Sequence, residues 1–317
     1  MRKGQNPAKF VKVVAKPERI TVAVLNYIPF LSGYYAESLD VLKICLDSLR
    51  KKTDLPFDLL VFDNGSCQEA CDFLHQERAD GRIQYLILSD KNLGKGGAWN
   101  TIFGGAPGEI IAYADSDVLF YPSWLSKSVR VLETYPKVGM VTSRPYRTRE
   151  EFLSQSIHWA EQEPEAAMEQ GQLLPWDWFY EFSITLGYSD EELKKIFAST
   201  RDFRVTYHGV TVFLGASHWQ FVAWKSVMQQ FVPFSMDRPM GQVKRLDQNM
   251  NEAGYLRLMV DEPLTMNMSN TLSPSFQQEQ KAKLMKPSGF RQHLFDFPLI
   301  RKPLLALYNA IFNLYYK

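Results

Sequence analysis

The sequence predicts an α/β protein with a mainly parallel central sheet flanked by helices. Over the first 140 or so residues, short apolar runs alternate with segments that have helical periodicity. The apolar runs are nearly continuous, as in strands buried on both faces. Strands that alternate with helices favour parallel pairing through right-handed crossovers. Polar residues follow several of these strands directly, and in such sheets ligands bind at the carboxyl ends of strands.

The elements follow one another in a regular order. The predicted strands span residues 20–25, 57–62, 83–88, 109–113 and 210–216. The first helix is predicted over 39–49, the second follows Ser66 and the third surrounds Trp99. We expect the Ser66 side chain to cap the second helix. A later helix, VKRLDQNMNEAGYL, should end at Gly254, which suits a left-handed cap position.

Three regions differ in composition. Residues 1–270 form the predicted main domain, interrupted at about 145–204 by an acidic, aromatic-rich helical insertion that we expect on the acceptor side. Residues 271–317 form a C-terminal extension in which an amphipathic aromatic and basic helix follows Pro303. That helix is too short to span a bilayer. It could lie in a membrane interface or dock on the core, and the sequence leaves both open.

Composition narrows the class of protein. The chain has 317 residues and a formal net charge of +1, from 36 basic and 35 acidic side chains. That balance gives no general attraction for nucleic acid, and we expect no nucleic-acid partner. Three cysteines cannot form a disulfide framework, and reduced thiols are expected. No signal peptide or run of ~18 apolar residues is visible. We expect a cytoplasmic protein, on the inner face of the cytoplasmic membrane if the C-terminal helix binds there.

One chemical signal is a pair of carboxylates at a strand end. Asp115 and Asp117 flank Ser116 directly after the apolar strand EIIAYA. Carboxylates without a nearby His or Cys suit Mg²⁺ or Mn²⁺, which can bridge a diphosphate. A plain Asx turn is the alternative reading.

Two other strand-end segments carry signals of similar, modest specificity. Asp63 opens the turn Asp-Asn-Gly-Ser and could accept hydrogen bonds from a nucleobase, although such turns are common. The segment NLGKGGAWN, residues 92–100, leads into a helix, and its amides with Lys95 could face phosphates. Its spacing is neither that of a Walker A loop nor that of a dinucleotide fingerprint.

The order ITVAVLNY, VFDNGS, NLGKGGAWN and IIAYADSDVLF resembles that of glycosyltransferase family 2, whose members have the GT-A fold. The resemblance covers residues 20 to 270 without the insertion, and FLGASHWQFVAWKSVMQQF is similar to a later strand and helix of the family. It implies a nucleoside-diphosphate sugar donor, a divalent cation and inversion at the transferred sugar.

The resemblance also assigns residues. It implies a donor site made by Asn26 and Asp63 beside the base, with Asn92, Lys95, Asp115 and Ser116 along the pocket. Asp117, together with Asp115, would bind Mg²⁺ or Mn²⁺. The catalytic base would be Asp247, and Asp237 in the preceding loop is the alternative.

The chain departs from the family at two places. Family members usually carry a Glu-Asp pair at the start of the helix that ends in Gly-Tyr, whereas here Asp247 stands closer to Gly254. Many relatives have a histidine where this chain has Asn267, which cannot replace histidine as acid, base or strong ligand. Either departure is compatible with an unusual geometry or an inactive homologue.

The leading hypothesis is a metal-dependent, inverting glycosyltransferase that moves a hexosyl or deoxyhexosyl group to a hydroxyl acceptor. Its expected role is surface polysaccharide or lipid-linked glycan synthesis. The alternatives are a retaining GT-A transferase acting on a small acceptor, and a degenerate scaffold that binds sugar nucleotides. Trp159, Trp176 and Trp178 could stack on sugars, but packing is the favoured interpretation. We assign no catalytic role to His208 or His218.

Overall fold

The computed structural model describes residues 4–237 and 241–272, which form an α/β unit around a ten-stranded sheet. The predicted extension lies outside the described residues from 273 onward, including the helix after Pro303. Within the described ranges, no helix is both long enough and apolar enough to cross a membrane.

The first half of the sheet has the predicted alternation of strands and helices. Its elements are β1 Ile20–Asn26, α1 Ser38–Lys52, β2 Asp58–Asn64, α2 Gln68–Ala79, β3 Tyr85–Ser89, α3 Gly94–Gly105 and β4 Ile110–Asp115. The strands are arranged β3-β2-β1-β4, and all three neighbouring pairs are parallel. Their carboxyl ends therefore lie along one edge of the sheet.

The second half of the unit contains more strands than the sequence predicts. Its elements are β5 Val118–Phe120, α4 Trp124–Thr134, β6 Val138–Thr142, α5 Ser154–Gln162, β7 Ala167–Gly171, α6 Trp176–Ser183, α7 Asp190–Ser199, β8 Asp202–Tyr207, β9 Val210–Leu214, β10 Gln220–Trp224, α8 Lys225–Met228, α9 Gln242–Glu252, β11 Leu256–Val260 and β12 Thr265–Asn267. The sheet continues from β4 in the order β10-β6-β11-β9-β8-β7, and β12 pairs with β5 in a separate two-stranded sheet.

Strand direction confirms the mainly parallel architecture expected for the GT-A fold. Strand β10 runs antiparallel between β4 and β6, and β6 pairs in parallel with β11. Strands β9, β8 and β7 then alternate in direction. Among the described strands, the three that run against the others are β10, β9 and β7, so seven of the ten share one direction.

The predicted insertion is only partly helical. It contains α5, α6 and α7, but β7 pairs with β8 and extends the central sheet. Its aromatic side chains pack, as favoured from the sequence. Trp176 contacts Phe179 and Phe197, and Trp159 packs against Tyr135 and Tyr207.

Two predicted helix ends can be compared with the structure. Gly254 follows α9 with a φ of +80°, as predicted for a left-handed cap. The prediction that Ser66 caps α2 is wrong. In the described chain, α2 begins after Cys67, whose side chain makes no capping hydrogen bond. The Ser66 hydroxyl instead donates a hydrogen bond to the Asp63 carboxylate at 2.5 Å.

Candidate functional site

Parallel register brings the predicted strand-end residues into one row. Asn26 of β1 lies opposite Asp63 of β2, and Leu25 lies opposite Asp115 of β4. Asn26 and Asp63 are fully buried, while Asp115 is partly exposed. At this edge of the sheet, two buried polar side chains, Asn26 and Asp63, therefore lie in one row with the accessible carboxylate of Asp115.

Asn26, Asp63 and Ser66 are joined by a network of hydrogen bonds. Asn26 Nδ2 donates to Asp63 Oδ1 at 2.8 Å and to Ser66 Oγ at 3.1 Å, and Ser66 N donates to Asp63 Oδ2 at 3.0 Å. Ile28 N also donates to Ser66 Oγ, at 2.9 Å. The network fixes the two chain segments that leave β1 and β2. Both carboxylate oxygens of Asp63 already accept hydrogen bonds in this network. A direct contact from Asp63 to a nucleobase stays a prediction.

Asn92 organises the glycine-rich loop. Its Oδ1 accepts from Asn64 Nδ2 at 3.0 Å and from Gly94 N at 2.7 Å, next to the first turn of α3. Gly96 lies so close to the segment before α9 that a Cβ would be 2.5 Å from the carbonyl oxygen of Ser235. Glycine is therefore required there because a backbone oxygen occupies the side-chain position.

Lys95 forms an ion pair with the first carboxylate of the Asp-Ser-Asp turn. Its Nζ lies 2.9 Å from Asp115 Oδ1 and 2.8 Å from Asp115 Oδ2, and it also contacts the Trp99 and Tyr113 rings. The Tyr113 hydroxyl donates to Asp115 Oδ1 at 2.5 Å. Burial, and then the negative charge of Asp115, raise the pKa of Tyr113 well above its usual value. Tyr113 therefore stays a hydrogen-bond donor.

Among the described residues, the second carboxylate of the turn, Asp117, lacks the side-chain partners that Asp115 has. Its Oδ1 is buried and has no hydrogen-bond partner within residues 4–237 and 241–272. Burial, followed by repulsion from Asp115, raises the pKa of Asp117 to about 7, while Lys95 lowers it. An unpaired buried carboxylate oxygen is costly unless a cation or a donor satisfies it.

These residues fit a divalent cation bound together with a substrate. The described part of the chain has no group of three or more His, Cys, Asp or Glu side chains that could hold a metal alone. Mg²⁺ and similar ions usually take one or two protein carboxylates and obtain further oxygens from substrate phosphates and water. Asp117 supplies such a carboxylate, because its free oxygen lies at the end of β4. Ser116 lies between the two aspartates, in the turn that joins β4 to β5.

Asn267 lies beside this turn, where many relatives have a histidine. It pairs with Val118 in the antiparallel β12–β5 ladder, and Met268 N donates to the Asp117 carbonyl at 2.8 Å. The side-chain oxygen of Asn267 accepts from Ser269 N at 2.6 Å. The amide therefore turns the chain after β12 while remaining next to the candidate metal site.

The candidate base Asp247 is buried in a charged cluster at the inner face of α9. Its Oδ1 accepts from Arg257 Nη2 at 2.8 Å, and its Oδ2 lies 4.0 Å from Nδ1 of His218. Burial raises the pKa of Asp247 to about 6, although Arg257 lowers it. Burial, with the charges of Lys95 and Arg257, lowers the pKa of His218 to about 3. At neutral pH Asp247 is thus ionised and His218 neutral.

Asp237, the alternative base, is placed differently. It is exposed in the loop before α9, and its carboxylate accepts a short hydrogen bond from the Ser235 hydroxyl. Asp247, in contrast, is buried on α9, and its carboxylate faces His218 in the loop 215–219, which leads into β10 next to β4. This geometry favours Asp247.

Three residues beside the predicted site were not among the predicted site residues: His218, to which the sequence analysis assigns no catalytic role, Arg257 and Tyr113. His218 lies near Asp247 in space but far from it in sequence. Arg257 and Tyr113 stand inside the apolar strands β11 and β4. For His218 the signal was the segment GASHW before β10, since the resemblance already matched that strand.

Comparison with known families identifies the class. Residues 34–197, about half of the chain, match the family model described as Glycosyl transferase family 2. The chain belongs to glycosyltransferase family 2. A curated relative, an uncharacterized glycosyltransferase of Nostoc sp., is 26% identical over 186 residues, which are 56% of this chain and 53% of the relative. The chain thus spans about half the length of the curated relative it matches.

Distant likenesses to solved structures extend over more of the chain. A mannosyltransferase from Pyrobaculum calidifontis, in complex with GDP-Man and Mn²⁺, has 16% identity and a TM-score of 0.46, covering 78% of this chain and 55% of that one. The S. aureus TarS fragment 1-349, in complex with UDP-GlcNAc, has 13% identity and a TM-score of 0.46, covering 84% and 65%.

Proposed function

We propose that this protein transfers a sugar from a nucleoside-diphosphate sugar to a hydroxyl acceptor, with Mg²⁺ or Mn²⁺ and inversion at the anomeric carbon. The observation that carries the proposal is the unpaired buried oxygen of Asp117 at the end of β4, next to the Lys95–Asp115 ion pair. A member of glycosyltransferase family 2 with these groups at a strand end has the components for binding a diphosphate and its cation.

Different residues of the donor site would bind the diphosphate and hold the cation. Lys95 would contact the diphosphate, because it lies in the first turn of α3, beside the Asp-Ser-Asp turn. Its side chain is 13% exposed, so it is held in place by its neighbours. When bound, the cation would neutralise charge on the leaving diphosphate. Asp117 and Asp115 are the residues that would hold it. The Asn26–Asp63–Ser66 network would support the base-binding end by fixing the segments after β1 and β2.

Asp247 would promote deprotonation of the acceptor. A catalytic carboxylate works best with a pKa near the operating pH, and that of Asp247 is raised to about 6. Arg257 keeps this buried group ionised at neutral pH. Attack by the acceptor oxygen on the anomeric carbon, opposite the leaving phosphate, gives inversion. An anomer that keeps its configuration, measured by NMR on the product, would favour the retaining alternative.

The test is a thermal-shift panel of UDP, GDP, dTDP and CMP, each with and without Mn²⁺. A ligand at ~100 times its Kd adds ~2.7 kcal/mol of stability, which shifts Tm by several degrees. We expect one nucleotide to stabilise the protein only when Mn²⁺ is present. Asp117→Asn should abolish that shift, whereas Asp261→Asn, at an exposed position after β11, should keep it. Absence of any shift with the wild type would contradict the proposal.

The acceptor and the location of the protein are further parts of the proposal. The insertion with α5, α6 and α7 would contact a glycan or lipid-linked acceptor, in surface polysaccharide or lipid-linked glycan synthesis on the cytoplasmic side of the membrane. Residues 303–317 would hold the protein at that membrane through aromatic and basic side chains. Deleting them should release the protein from anionic vesicles, and unchanged vesicle binding would contradict this part.

A further inference from the structure

We infer that Glu181 of α6 binds the acceptor, and that its carboxylate, held in place by Arg144, accepts hydrogen bonds from the hydroxyl groups of a neutral sugar. The inference deepens the proposed function and rests on it, because it names the acceptor class for the same site. It follows from the ion pair that fixes Glu181, from the unequal exposure of the two partners, and from the contacts between α6 and the Asp-Ser-Asp turn.

Arg144 anchors this carboxylate from the protein interior. It stands two residues after β6, and its side chain is 0% exposed, whereas that of Glu181 is 47% exposed. Arg144 Nη2 donates to Glu181 Oε2 at 2.6 Å. Among the described residues, Oε2 is the only oxygen of this carboxylate that takes part in a side-chain hydrogen bond. The ion pair therefore holds a carboxylate whose other oxygen is left to accept from a ligand.

The same arginine reaches the strand beside the candidate metal site. Arg144 Nη1 donates to the carbonyl oxygen of Thr265, the first residue of β12, at 3.0 Å. Strand β12 pairs with β5, and directly after β12 the amide of Met268 donates to the Asp117 carbonyl oxygen at 2.8 Å. Through these bonds the carboxylate of Glu181 has a fixed position relative to the turn that carries Asp117.

A second set of contacts joins α6 to the same turn. The ring of Phe182, which follows Glu181, stacks on Trp219 with centroids 5.8 Å apart and an angle of 24°. The carbonyl oxygen of Trp219 accepts from Asp115 N at 2.8 Å. Helix α6 thus contacts the residue that is bonded to the end of β4. Glu181 therefore borders the donor site, where an acceptor has to bind for its hydroxyl to reach the transferred sugar.

Buried polar atoms around this anchor lack partners. Trp219 is 7% exposed, yet its Nε1 has no hydrogen-bond partner in the described part of the chain. The same is true there of Nε of Arg144 and Oγ1 of Thr265, two residues that are fully buried. Buried groups of this kind are normally satisfied. Three unsatisfied groups beside the Glu181 anchor are expected where a polar ligand completes the site.

The charge of Glu181 selects the kind of acceptor. Tyr121 follows β5 directly, and burial, followed by the negative charge of Glu181, raises the pKa of Tyr121, while Arg144 lowers it. The carboxylate therefore acts on the space beside β5 although it is paired. Carboxylate oxygens accept hydrogen bonds from hydroxyl groups, and such charge-assisted bonds are about twice as strong as neutral ones. A neutral sugar satisfies them, whereas an acceptor with its own carboxylate at this position would be repelled.

The experiment measures transfer with Mn²⁺ from UDP-glucose, UDP-N-acetylglucosamine and GDP-mannose to the methyl glycosides of glucose, galactose and mannose. In Glu181→Gln we expect the acceptor KM to rise ~10-fold or more, because the hydroxyl groups lose a charged partner. The donor Kd should stay within about threefold. Glutamine keeps an oxygen for Arg144, so the Tm should stay within a few degrees of the wild type.

Glu169→Gln is the matched control. Glu169 lies in the same insertion, on β7, and pairs with Arg204 at 2.8 Å with a side chain that is 55% exposed. It resembles Glu181 in exposure and in having an arginine partner, but β7 is the edge strand of the sheet. Its acceptor KM should equal that of the wild type.

A specificity ratio keeps the test independent of folding. Each methyl hexoside is compared with its uronide, which carries a carboxylate. We expect wild-type kcat/KM to favour the neutral glycoside ~10-fold or more, and Glu181→Gln to lower this preference to about threefold or less. Both values come from the same preparation, so a loss of folded protein cancels in their ratio. An ion pair with a structural role alone would leave the ratio unchanged.

The outcomes separate this inference from the proposed function. A wild type that binds none of the three donors, with or without Mn²⁺, overturns both. A wild type that binds a donor but transfers to none of the neutral glycosides overturns the inference and leaves donor binding intact. The inference also fails if Glu181→Gln leaves the acceptor KM and the specificity ratio unchanged, or if its donor Kd rises in parallel with the acceptor KM.

Discussion

Replacing Arg257 by methionine would remove the cation that holds Asp247 in its buried site, while leaving a side chain of similar length. Arg257 donates to Asp247 Oδ1 at 2.8 Å and to the carbonyl oxygens of Ala216 and Phe152 at 2.6 and 3.2 Å. Methionine cannot make these bonds. The carboxylate would then be buried without its charged partner, and two backbone acceptors would lose a donor.

The size of the effect follows from burial. Removing one partner from a buried ion pair costs about 3–5 kcal/mol, since the other charge is left uncompensated. For a unit of this size that corresponds to a Tm lower by about 10 °C. Arg204→Met is the matched control, because Arg204 pairs with Glu169 at 2.8 Å with both side chains well exposed, 35% and 55%. Such a surface pair contributes about 0–1 kcal/mol.

The loss should also depend on pH. Arg257 lowers the pKa of Asp247, which burial has raised to about 6, so its removal raises that pKa further. A carboxyl group with a folded pKa above the unfolded value favours the folded state when protonated, and this contribution is lost as pH rises through the folded pKa. The variant should therefore lose least stability near pH 5 and most near pH 8.

Urea unfolding at both pH values measures this, with Asp247→Asn as a second background. In that background Arg257→Met should cost much less, because no charge remains to be compensated. A loss that is equal at both pH values and unchanged by Asp247→Asn would refute the reasoning.

Three further predictions concern the same edge of the sheet. Gly96→Ala should lower the free energy of unfolding by about 1–3 kcal/mol, because its Cβ would overlap the Ser235 carbonyl oxygen. Gly104→Ala in open space of the same helix should raise it by about 0.5–1 kcal/mol, and equal denaturation midpoints would contradict both. Lys95→Met should weaken donor binding at least tenfold in calorimetry, since the diphosphate would lose its cationic contact and would lie next to Asp115 without the Lys95 charge; an unchanged Kd would show that Lys95 faces no phosphate. With saturating Mn²⁺, kcat/KM should rise with pH through the titration of Asp247, whose pKa is about 6, and level off above it; a flat profile between pH 5 and 7 would contradict the assignment of Asp247 as base.

The first half of the sheet could be predicted because its information is local. Strands β1, β2 and β4 are nearly continuous apolar runs, and each is followed by the polar groups that mark a strand end. Parallel register then places Asn26, Asp63 and Asp115 at one edge, as expected. The carboxylate pair at the end of β4 could be located for the same reason.

The second half could not be derived from local pattern. Strand β7 reads AMEQG and is mostly exposed, so it has no apolar signature and exists because β8 supplies its partner. The order that inserts β10 between β4 and β6 is set by tertiary packing. In the site, Arg257 stands inside the apolar strand β11, and a single histidine in a loop gives no sign of the carboxylate that faces it.

The pairing of β7 with β8, and of β8 with β9, has a consequence for protein engineering. An acceptor-side element that stood apart from the sheet could be exchanged between transferases by cutting at its two connecting loops. Here such cuts would separate β7 from β8, with which it shares backbone hydrogen bonds, and would expose β8 as a new edge. A chimera that retargets the acceptor should therefore transplant everything from the end of β6 through β9 as one piece. The graft should then be matched to its host along the β9–β11 ladder.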